Sequence, residues 1–179
     1  MKKELFVGIF LGICLSIILS NPLLSVYSNN SNVINDTFNN QLTLKLPRST
    51  RVIESENIER GQLLDSVYLD DQTLLIRGYV QIWNLDDLEN YLVNSQRIST
   101  FDFSSYVLKP TKVANFNGFL TEWTASFGES YRITGMEYWL KKPDKSEVLR
   151  ISFFSDSTSF SKEQLEYTNK IINSIEWSK

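Results

Sequence analysis

The sequence contains no histidine and a single cysteine, Cys14, among its 179 residues. Without histidine the chain has no imidazole metal ligand, no histidine general base and no Ser–His or Cys–His pair to activate a nucleophile. Cys14 lies inside an apolar N-terminal run, so the rest of the chain has no disulfide, thiolate nucleophile or cysteine metal ligand. The lack of disulfides leaves export open, because exported domains also fold without them.

Glycine and positive charge are both scarce. The seven glycines form no glycine-rich phosphate loop. Lys and Arg number 18 against 21 Asp and Glu, or 16 against 20 beyond residues 2–4. The one compact basic group, Lys141, Lys142 and Lys145, flanks a Pro-Asp pair in a predicted turn. A nucleic-acid partner requires a clustered basic surface, so we expect none.

The longest apolar run, residues 5–19, follows Lys2 and Lys3, and a short continuation covers residues 22–26. Counted from Leu5 through Val26, the segment has 22 residues. A charged start before an apolar run is typical of a secretory signal. These 22 residues are also enough to span a bilayer, and the lysines favour a cytoplasmic N terminus. The run has no polar stripe, unlike a helix in a protein core. Residues 1–27 are therefore predicted to form a signal or anchor helix.

Three fates of this segment are open. As an uncleaved anchor, the interpretation that we favour, it makes a single-pass cell-membrane protein with its domain outside the cytoplasm. Cleavage after Ser28 places Val26 and Ser28 at the small-residue positions of a cleavage site and gives a secreted protein. Lipidation of Cys14 fits poorly, because Ile13 stands where a lipobox has a small residue.

Residues 28–40 are dominated by Asn and Ser and are predicted to form a linker. Residues 41–179 are then predicted to form one globular domain. A chain of that length has the usual size for a single hydrophobic core. A content of 42% hydrophobic and 13% aromatic residues is typical of a folded chain.

The first half of the domain shows strands and then a helix. Leu42–Leu46 alternates apolar and polar residues and stops at Pro47, which predicts a short strand. The clearest strand, Thr73–Trp83, follows a predicted turn at Asp70-Asp71. A helix is expected over Leu85–Ser95, with Asn84 as the N-cap and acidic residues in the first turn, where the helix dipole favours them.

The second half has the pattern of a strand meander closed by a helix. The predicted strands are Phe103–Lys109, Lys112–Phe116, Phe119–Phe127, Tyr131–Leu140 and Glu147–Phe154. Asn117-Gly118 predicts a hairpin turn, and Ser161 with Gln164 predicts the capping box of the last helix. A meander makes the central sheet largely antiparallel. The predicted fold class is α+β, with a mid-chain and a C-terminal helix behind the N-terminal hydrophobic helix.

This layout resembles the PsbP-like family, whose α/β/α domains are related to the extrinsic PsbP protein of photosystem II. The resemblance runs over most of residues 41–177 and is carried by Leu42–Pro47, the helix Leu85–Ser95, Gly118–Trp123, Met136–Leu140, Val148–Phe153 and Ile171–Trp177. It implies an α/β/α sandwich-like fold and a non-enzymatic accessory or binding domain outside a membrane. Photosystem function is not implied, because no photosystem-docking residue is matched.

Carboxylates are the remaining catalytic equipment. Glu122 and Glu137 lie on strands that are expected to be neighbours, where two facing acids shift each other's pKa as a carboxylate-based hydrolase requires. The pairs at 70–71 and 86–87 lack the spaced oxygen ligands of a calcium loop. We therefore predict no catalytic, cofactor-binding or metal-binding residue and no cofactor.

The aromatic residues have two interpretations. Trp83, Trp123 and Trp139 are expected in the core, whereas Arg77, Tyr79 and Trp83 share one face of the long strand and would suit an interface if that face is less covered. The predicted function is a membrane-tethered, non-enzymatic binding domain with a protein partner near the membrane. A carboxylate-based hydrolase, a secreted soluble protein and a structural spacer are the alternatives.

Overall fold

A computed structural model describes residues 33–38, 41–54, 61–128 and 131–178. The predicted signal or anchor helix, residues 1–27, lies outside this part of the chain. The strands are β1 Val33–Phe38, β2 Leu42–Pro47, β3 Arg51–Glu54, β4 Leu63–Asp71, β5 Ile76–Asn84, β6 Asp102–Val113, β7 Phe116–Phe127, β8 Tyr131–Lys141, β9 Glu147–Ser155 and β10 Glu176–Trp177. The helices are α1, Leu88–Ile98, and α2, Lys162–Ile172. Neither helix is long and apolar enough to span a membrane.

The strands form two sheets. The larger sheet has the order β3-β4-β5-β9-β8-β7-β6, and the smaller has the order β1-β2-β10. Every described strand pair is antiparallel. The predictions of an α+β fold, a largely antiparallel sheet and a mid-chain and a C-terminal helix are thereby confirmed.

One face of the large sheet, face A, carries the main apolar core. Alternate residues of β5, β9 and β8, such as Val80, Ile151 and Leu140, point to this side. They pack in one cluster with Leu44 of β2 and Ile171 of α2. The small sheet and α2 therefore cover face A together.

The opposite face, face B, is covered at one end by α1. Leu85, Leu88 and Leu92 pack there against Trp83 and Trp139 of the sheet. All three leucines are buried. With α1 on face B and α2 on face A, the sheet lies between helices.

Helix α1 begins later than predicted. Asn84 ends β5, and the N-cap is Asp87, whose carboxylate accepts a hydrogen bond from the backbone N–H of Asn90 at 3.1 Å. This bond lowers the pKa of Asp87, which agrees with the expected role of the acidic cluster at a helix start. The prediction of Asn84 as the cap was wrong because its backbone pairs with Glu147 in the sheet. The capping box of α2, Ser161 with Gln164, is confirmed.

The hairpin turn between β6 and β7 was also predicted at the wrong place. Asn117 and Gly118 are paired inside β7, and the turn lies between Val113 and Phe116, with Ala114 at a φ of 52°. A Cβ on Gly118 would lie 1.8 Å from the backbone oxygen of Trp139. This glycine therefore serves a close approach of two strands and not a turn.

Part of the predicted linker 28–40 is a strand. Residues 33–38 form β1, which pairs with β2 over the whole register from Val33↔Pro47 to Phe38↔Leu42. The Asn- and Ser-rich composition suggested a chain without pairing, but hydrogen bonding to a neighbouring strand overrode it. Residues 33–38 therefore belong to the folded unit, although they precede residue 41.

The long strand predicted over Thr73–Trp83 starts three residues later, at Ile76. Asp70 and Asp71, predicted as a turn, end β4, and the turn is formed by residues 72–75. The Asp71 side chain accepts hydrogen bonds from the backbone N–H groups of Thr73 and Leu74, both at 3.0 Å. Asp71, which precedes the turn, therefore stabilises it through these hydrogen bonds. The Asp-Asp pair in the sequence did not by itself indicate this role.

Candidate interaction surface

Six aromatic side chains form a continuous row across face B. In spatial order they are Tyr68 (β4), Tyr79 (β5), Phe154 (β9), Trp123 (β7), Phe103 and Tyr106 (both β6). Successive ring centroids are separated by 5.3, 6.2, 5.7, 5.7 and 5.3 Å, which is the usual range for aromatic pairs. We call this set the aromatic row.

The row crosses β8 at a glycine. Gly135 lies opposite Trp123 on one side and Phe154 on the other. A Cβ at this position would lie 2.3 Å from Cε2 of the Trp123 indole. The indole therefore occupies the space that any side chain at position 135 would fill, and the row continues over β8 without a residue of that strand.

Four of the six side chains in the row are partly exposed. Tyr79 and Trp123 are buried, while Tyr68, Tyr106 and Phe154 are partly open to solvent. Burial raises the pKa of Tyr68, and it raises the pKa of Tyr106 to about 12. Both phenols are therefore neutral near pH 7 and present a hydroxyl group at the edge of an apolar ring.

A buried polar network lies between the row and the residues under α1. Glu137, only 7% exposed, accepts hydrogen bonds from Nε of Arg150 and Nε1 of Trp123, both at 2.8 Å. Arg150 also donates to Gln81 at 2.9 Å, and its guanidinium lies 4.9 Å from the ring centroid of Trp139. Because both Glu137 oxygens are engaged, this carboxylate orients the Trp123 indole and thereby the centre of the row.

Gln81 extends the same network towards Trp83. Its side-chain oxygen accepts from Nε1 of Trp83 at 3.2 Å, and its amide nitrogen donates to Ser66 at 3.2 Å. Buried polar groups that are satisfied in this way hold one geometry, since every alternative leaves a donor or acceptor without a partner.

A charged cluster lies beside the row next to Phe154, which is paired with Arg77 across β5 and β9. Arg77 donates to Asp156 at 2.5 Å and to the hydroxyl of Tyr131 at 3.4 Å. The hydrogen bond from Arg77 lowers the pKa of Asp156, so the carboxylate stays ionised. Arg77 and Tyr131 add an arginine and an exposed tyrosine beside the aromatic row.

The two glutamates proposed as a catalytic pair are not brought together. They lie on neighbouring strands, as expected, but Glu122 is opposite Met136 and Glu137 is opposite Thr121. Their side chains therefore point to different faces of the sheet. Glu122 instead forms an ion pair with Lys109 at 2.5 Å. The facing carboxylates that a hydrolase at this position requires are absent.

The other residues considered from the sequence are the three tryptophans and the residues that share one face of β5. Trp83, Trp123 and Trp139 are buried, as predicted for the core. Arg77, Tyr79 and Trp83 do share one face, but Trp83 is covered by α1. Within the described ranges no group of three Asp, Glu or Cys residues is placed to hold a metal ion.

Sequence reasoning missed the aromatic row as a unit. Its members come from five strands far apart in the chain, and only the sheet order places Phe154 between Tyr79 and Trp123. The available signal was an aromatic residue on the same face of several strands, with a glycine, Gly135, at the matching position of β8. Reading that signal requires the register between strands, which the sequence alone does not supply.

A shallow groove of about 510 Å³ lies elsewhere, between β10 and the β6–β7 turn. Phe116 and Trp177 line it with polar neighbours that include Gln41 and Glu176. Trp177 packs on Phe116 at 5.6 Å, and the ammonium group of Lys142 lies 5.0 Å from the Trp177 ring centroid. These contacts explain the burial of Trp177 by packing.

Comparison with known proteins finds structural similarity without a sequence match. No family model matches the sequence, and no curated protein matches it. The fold is similar to the solution structure of cyanobacterial PsbP from Synechocystis sp. PCC 6803, with a TM-score of 0.47 and 8% identity. The similarity covers 89% of this chain and 95% of that chain. At this TM-score and identity the likeness carries neither family membership nor function, and the PsbP-like resemblance stays a prediction.

Proposed function

We propose that this protein is a non-enzymatic accessory module that binds a protein partner outside the cytoplasm through the aromatic row. The observation that supports this proposal is a row of Tyr and Phe rings, four of them partly exposed, packed around a buried Trp123 that a satisfied polar network holds in place. Tyrosine, tryptophan and arginine are the side chains most often responsible for interface affinity. Tyr and Trp expose large rigid surfaces and lose little conformational entropy on binding.

The geometry of the row favours a protein partner with an apolar contact surface. Its centre, Trp123, is fixed by Glu137 and packed against Phe154 and Phe103. Its rim carries the hydroxyl groups of Tyr68 and Tyr106. A preorganised apolar centre with polar edges loses less free energy to ordering on association than a flexible surface does.

The location is part of the proposal and is supported by the sequence. The apolar run of residues 5–26 after two lysines has the length and flanking charge of a membrane anchor. We propose that it remains attached and tethers the domain to the outer surface of the cell membrane. Alkaline extraction of membranes tests this: an anchored chain stays in the pellet with an intact N terminus, whereas a chain released by cleavage after Ser28 is recovered in the supernatant.

Site-specific photocrosslinking in intact cells tests the binding surface. Tyr106 and Val107 are consecutive residues of β6 that point to opposite faces, and both are accessible, Val107 being 49% exposed. A photoreactive amino acid at position 106 of the full-length chain should give one discrete protein adduct. The same amino acid at position 107 should not. Equal adducts at both positions, or none at position 106, would contradict binding through the row.

A second variant separates binding from folding. Phe103→Ala removes the ring between Trp123 and Tyr106 at the partly exposed end of the row. In a chain with the photoreactive residue at position 106, this substitution should reduce the adduct strongly while the protein remains folded by circular dichroism. An adduct of unchanged yield would show that the partner contacts β6 and not the row.

A further inference from the structure

Leu75 is the most exposed large hydrophobic residue of the described chain, at 75%. It lies in the turn of residues 72–75 and has a φ of 52°, in the left-handed region that glycine and asparagine adopt far more readily than leucine. Single exposed leucines are common on protein surfaces. The backbone of Leu75 is therefore in an unfavourable conformation, and its exposed side chain gains little packing energy to offset that cost.

The turn that presents Leu75 is held rigidly. Its first half is fixed by Asp71, as described above, and its carbonyl at Leu74 accepts a hydrogen bond from the Gln164 side chain of α2 at 2.8 Å. The side chain of Leu74 packs against the core of face A. Leu74 therefore anchors the turn from inside, and Leu75 projects from it outwards.

This turn lies at the same end of the domain as the start of β1, the first described strand. The first residue of β1, Val33, is opposite Pro47. Pro47 accepts a backbone hydrogen bond from Thr50 at 2.9 Å, and Ser49, between them, donates to Asp71 at 2.5 Å. A short series of direct contacts thus joins the start of β1 to the turn of residues 72–75.

The tether to the proposed anchor is short. Only six residues, 27–32, separate the apolar run from β1, and six residues span at most about 20 Å when fully extended. The strand β7, with 12 residues, is about 40 Å long at the usual rise per residue. The end of the domain that carries Leu75 is therefore kept at the bilayer, and the opposite end of the sheet is kept away from it.

We propose that the turn of residues 72–75 contacts the membrane and that the Leu75 side chain inserts at the headgroup boundary of the outer leaflet. This inference rests on the tethered function proposed above. A single leucine binds lipid weakly by itself. Attachment through the anchor makes the contact intramolecular, so a weak interaction is enough to orient the domain. The contact would fix the direction in which the aromatic row faces its partner.

Depth-dependent fluorescence quenching in proteoliposomes tests this contact. In a Cys14→Ser background of the full-length chain, Leu75→Cys gives a unique position for an environment-sensitive fluorophore. Leu64→Cys is the matched control, because Leu64 is also an exposed leucine, at 47%, near the start of β4. It lies about 23 Å along that strand from Asp71 at the usual rise per residue. The vesicles contain phosphatidylcholine and phosphatidylglycerol, with bromine at defined acyl-chain depths.

We expect shallow brominated lipids to quench the label at position 75 at least about twofold more than the label at position 64, as side chains buried at the interface are quenched. Chains that float with the vesicles but show equal quenching, or none, at the two positions would overturn the inference and leave the anchor intact. Chains that do not float would overturn the anchor and the inference together. Shielding of position 75 from aqueous iodide without lipid quenching would assign the turn to a contact between copies of the chain, and would also overturn the inference.

Discussion

The two faces of the large sheet are built on different principles. Face A carries a single apolar cluster closed by α2 and the small sheet, with Leu149, Ile151 and Phe153 almost fully buried. Face B carries an apolar end under α1, then the Gln81–Glu137–Arg150 network, then the aromatic row. Adjacent residues of the same strands supply both, since each strand places alternate side chains on opposite sides.

The two faces have different roles, one in the stability of the fold and the other in the presentation of a surface. Apolar contacts on face A are non-directional and tolerate any arrangement that fills the same volume. The ion pair on face B stabilises little by itself, because burying its charges offsets most of their attraction. That pair instead fixes one orientation of the Trp123 indole. Face A holds the domain together, and face B presents a defined surface.

The largest expected effect compares two consecutive phenylalanines of β9. Phe153 is buried on face A against Tyr167, whereas Phe154 is half exposed on face B. We expect Phe153→Ala to lower the free energy of unfolding by about 4 kcal/mol and Phe154→Ala by about half of that. Urea unfolding followed by circular dichroism measures both. Equal losses would remove the distinction between the faces.

The next prediction compares two glutamates of neighbouring strands. Glu137→Ala leaves Arg150 without its ionic partner in a nearly buried site, which should destabilise the fold by about 3 kcal/mol. Glu122→Ala breaks the exposed pair with Lys109 on face A and should change stability by less than about 0.5 kcal/mol.

The same unfolding experiment on a double variant identifies the role of the ion pair. Replacement of Glu137 and Arg150 by Met together should recover most of the stability lost in Glu137→Ala, because no buried charge is left alone. The near-ultraviolet signal of the tryptophans should nevertheless change, since Trp123 loses its hydrogen-bond acceptor. A double variant with an unaltered spectrum would mean that the network does not orient the row.

A smaller effect is expected at the glycine under the row. In Gly135→Ala the new Cβ meets the Trp123 ring at 2.3 Å, so the indole must shift and the fold should lose about 2 kcal/mol. In a Trp123→Leu background the same alanine should be nearly neutral, because the space is open. A loss of equal size in both backgrounds would attribute the effect to the backbone of β8 and not to the row.

Local signals in the sequence were sufficient to predict most of the helices and strands. The capping box at Ser161 and the alternation in β2 depend on contacts within a few residues, and both were predicted correctly. The prediction of a hairpin turn at Asn117-Gly118 was wrong. Gly118 lies inside β7, where only a glycine allows the close approach to the backbone of Trp139. Residues 33–38 were predicted as a linker from their composition, but their pairing with β2 makes them a strand.

The candidate surface was less accessible to sequence reasoning. The aromatic face of β5 was recognised through Arg77 and Tyr79, since strand periodicity assigns faces within one strand. The row also needs the order of the sheet, which places β9, the last strand of the large sheet along the chain, beside β5. Long-range order of this kind is a property of the whole packed molecule, and no local pattern in the sequence specifies it.

The smallest expected effect belongs to a residue outside both faces and has the opposite sign. Leu75→Asn places at a φ of 52° a residue that tolerates this conformation, and removes no buried contact. We expect the free energy of unfolding in detergent solution to rise by about 0.5 to 1 kcal/mol. Leu64→Asn, an exposed leucine in β4, should be neutral within that range. A gain in stability at position 75 alone would show that the native leucine opposes folding, as expected for a side chain whose contact lies outside the domain, whereas a loss would show that Leu75 contributes to the fold.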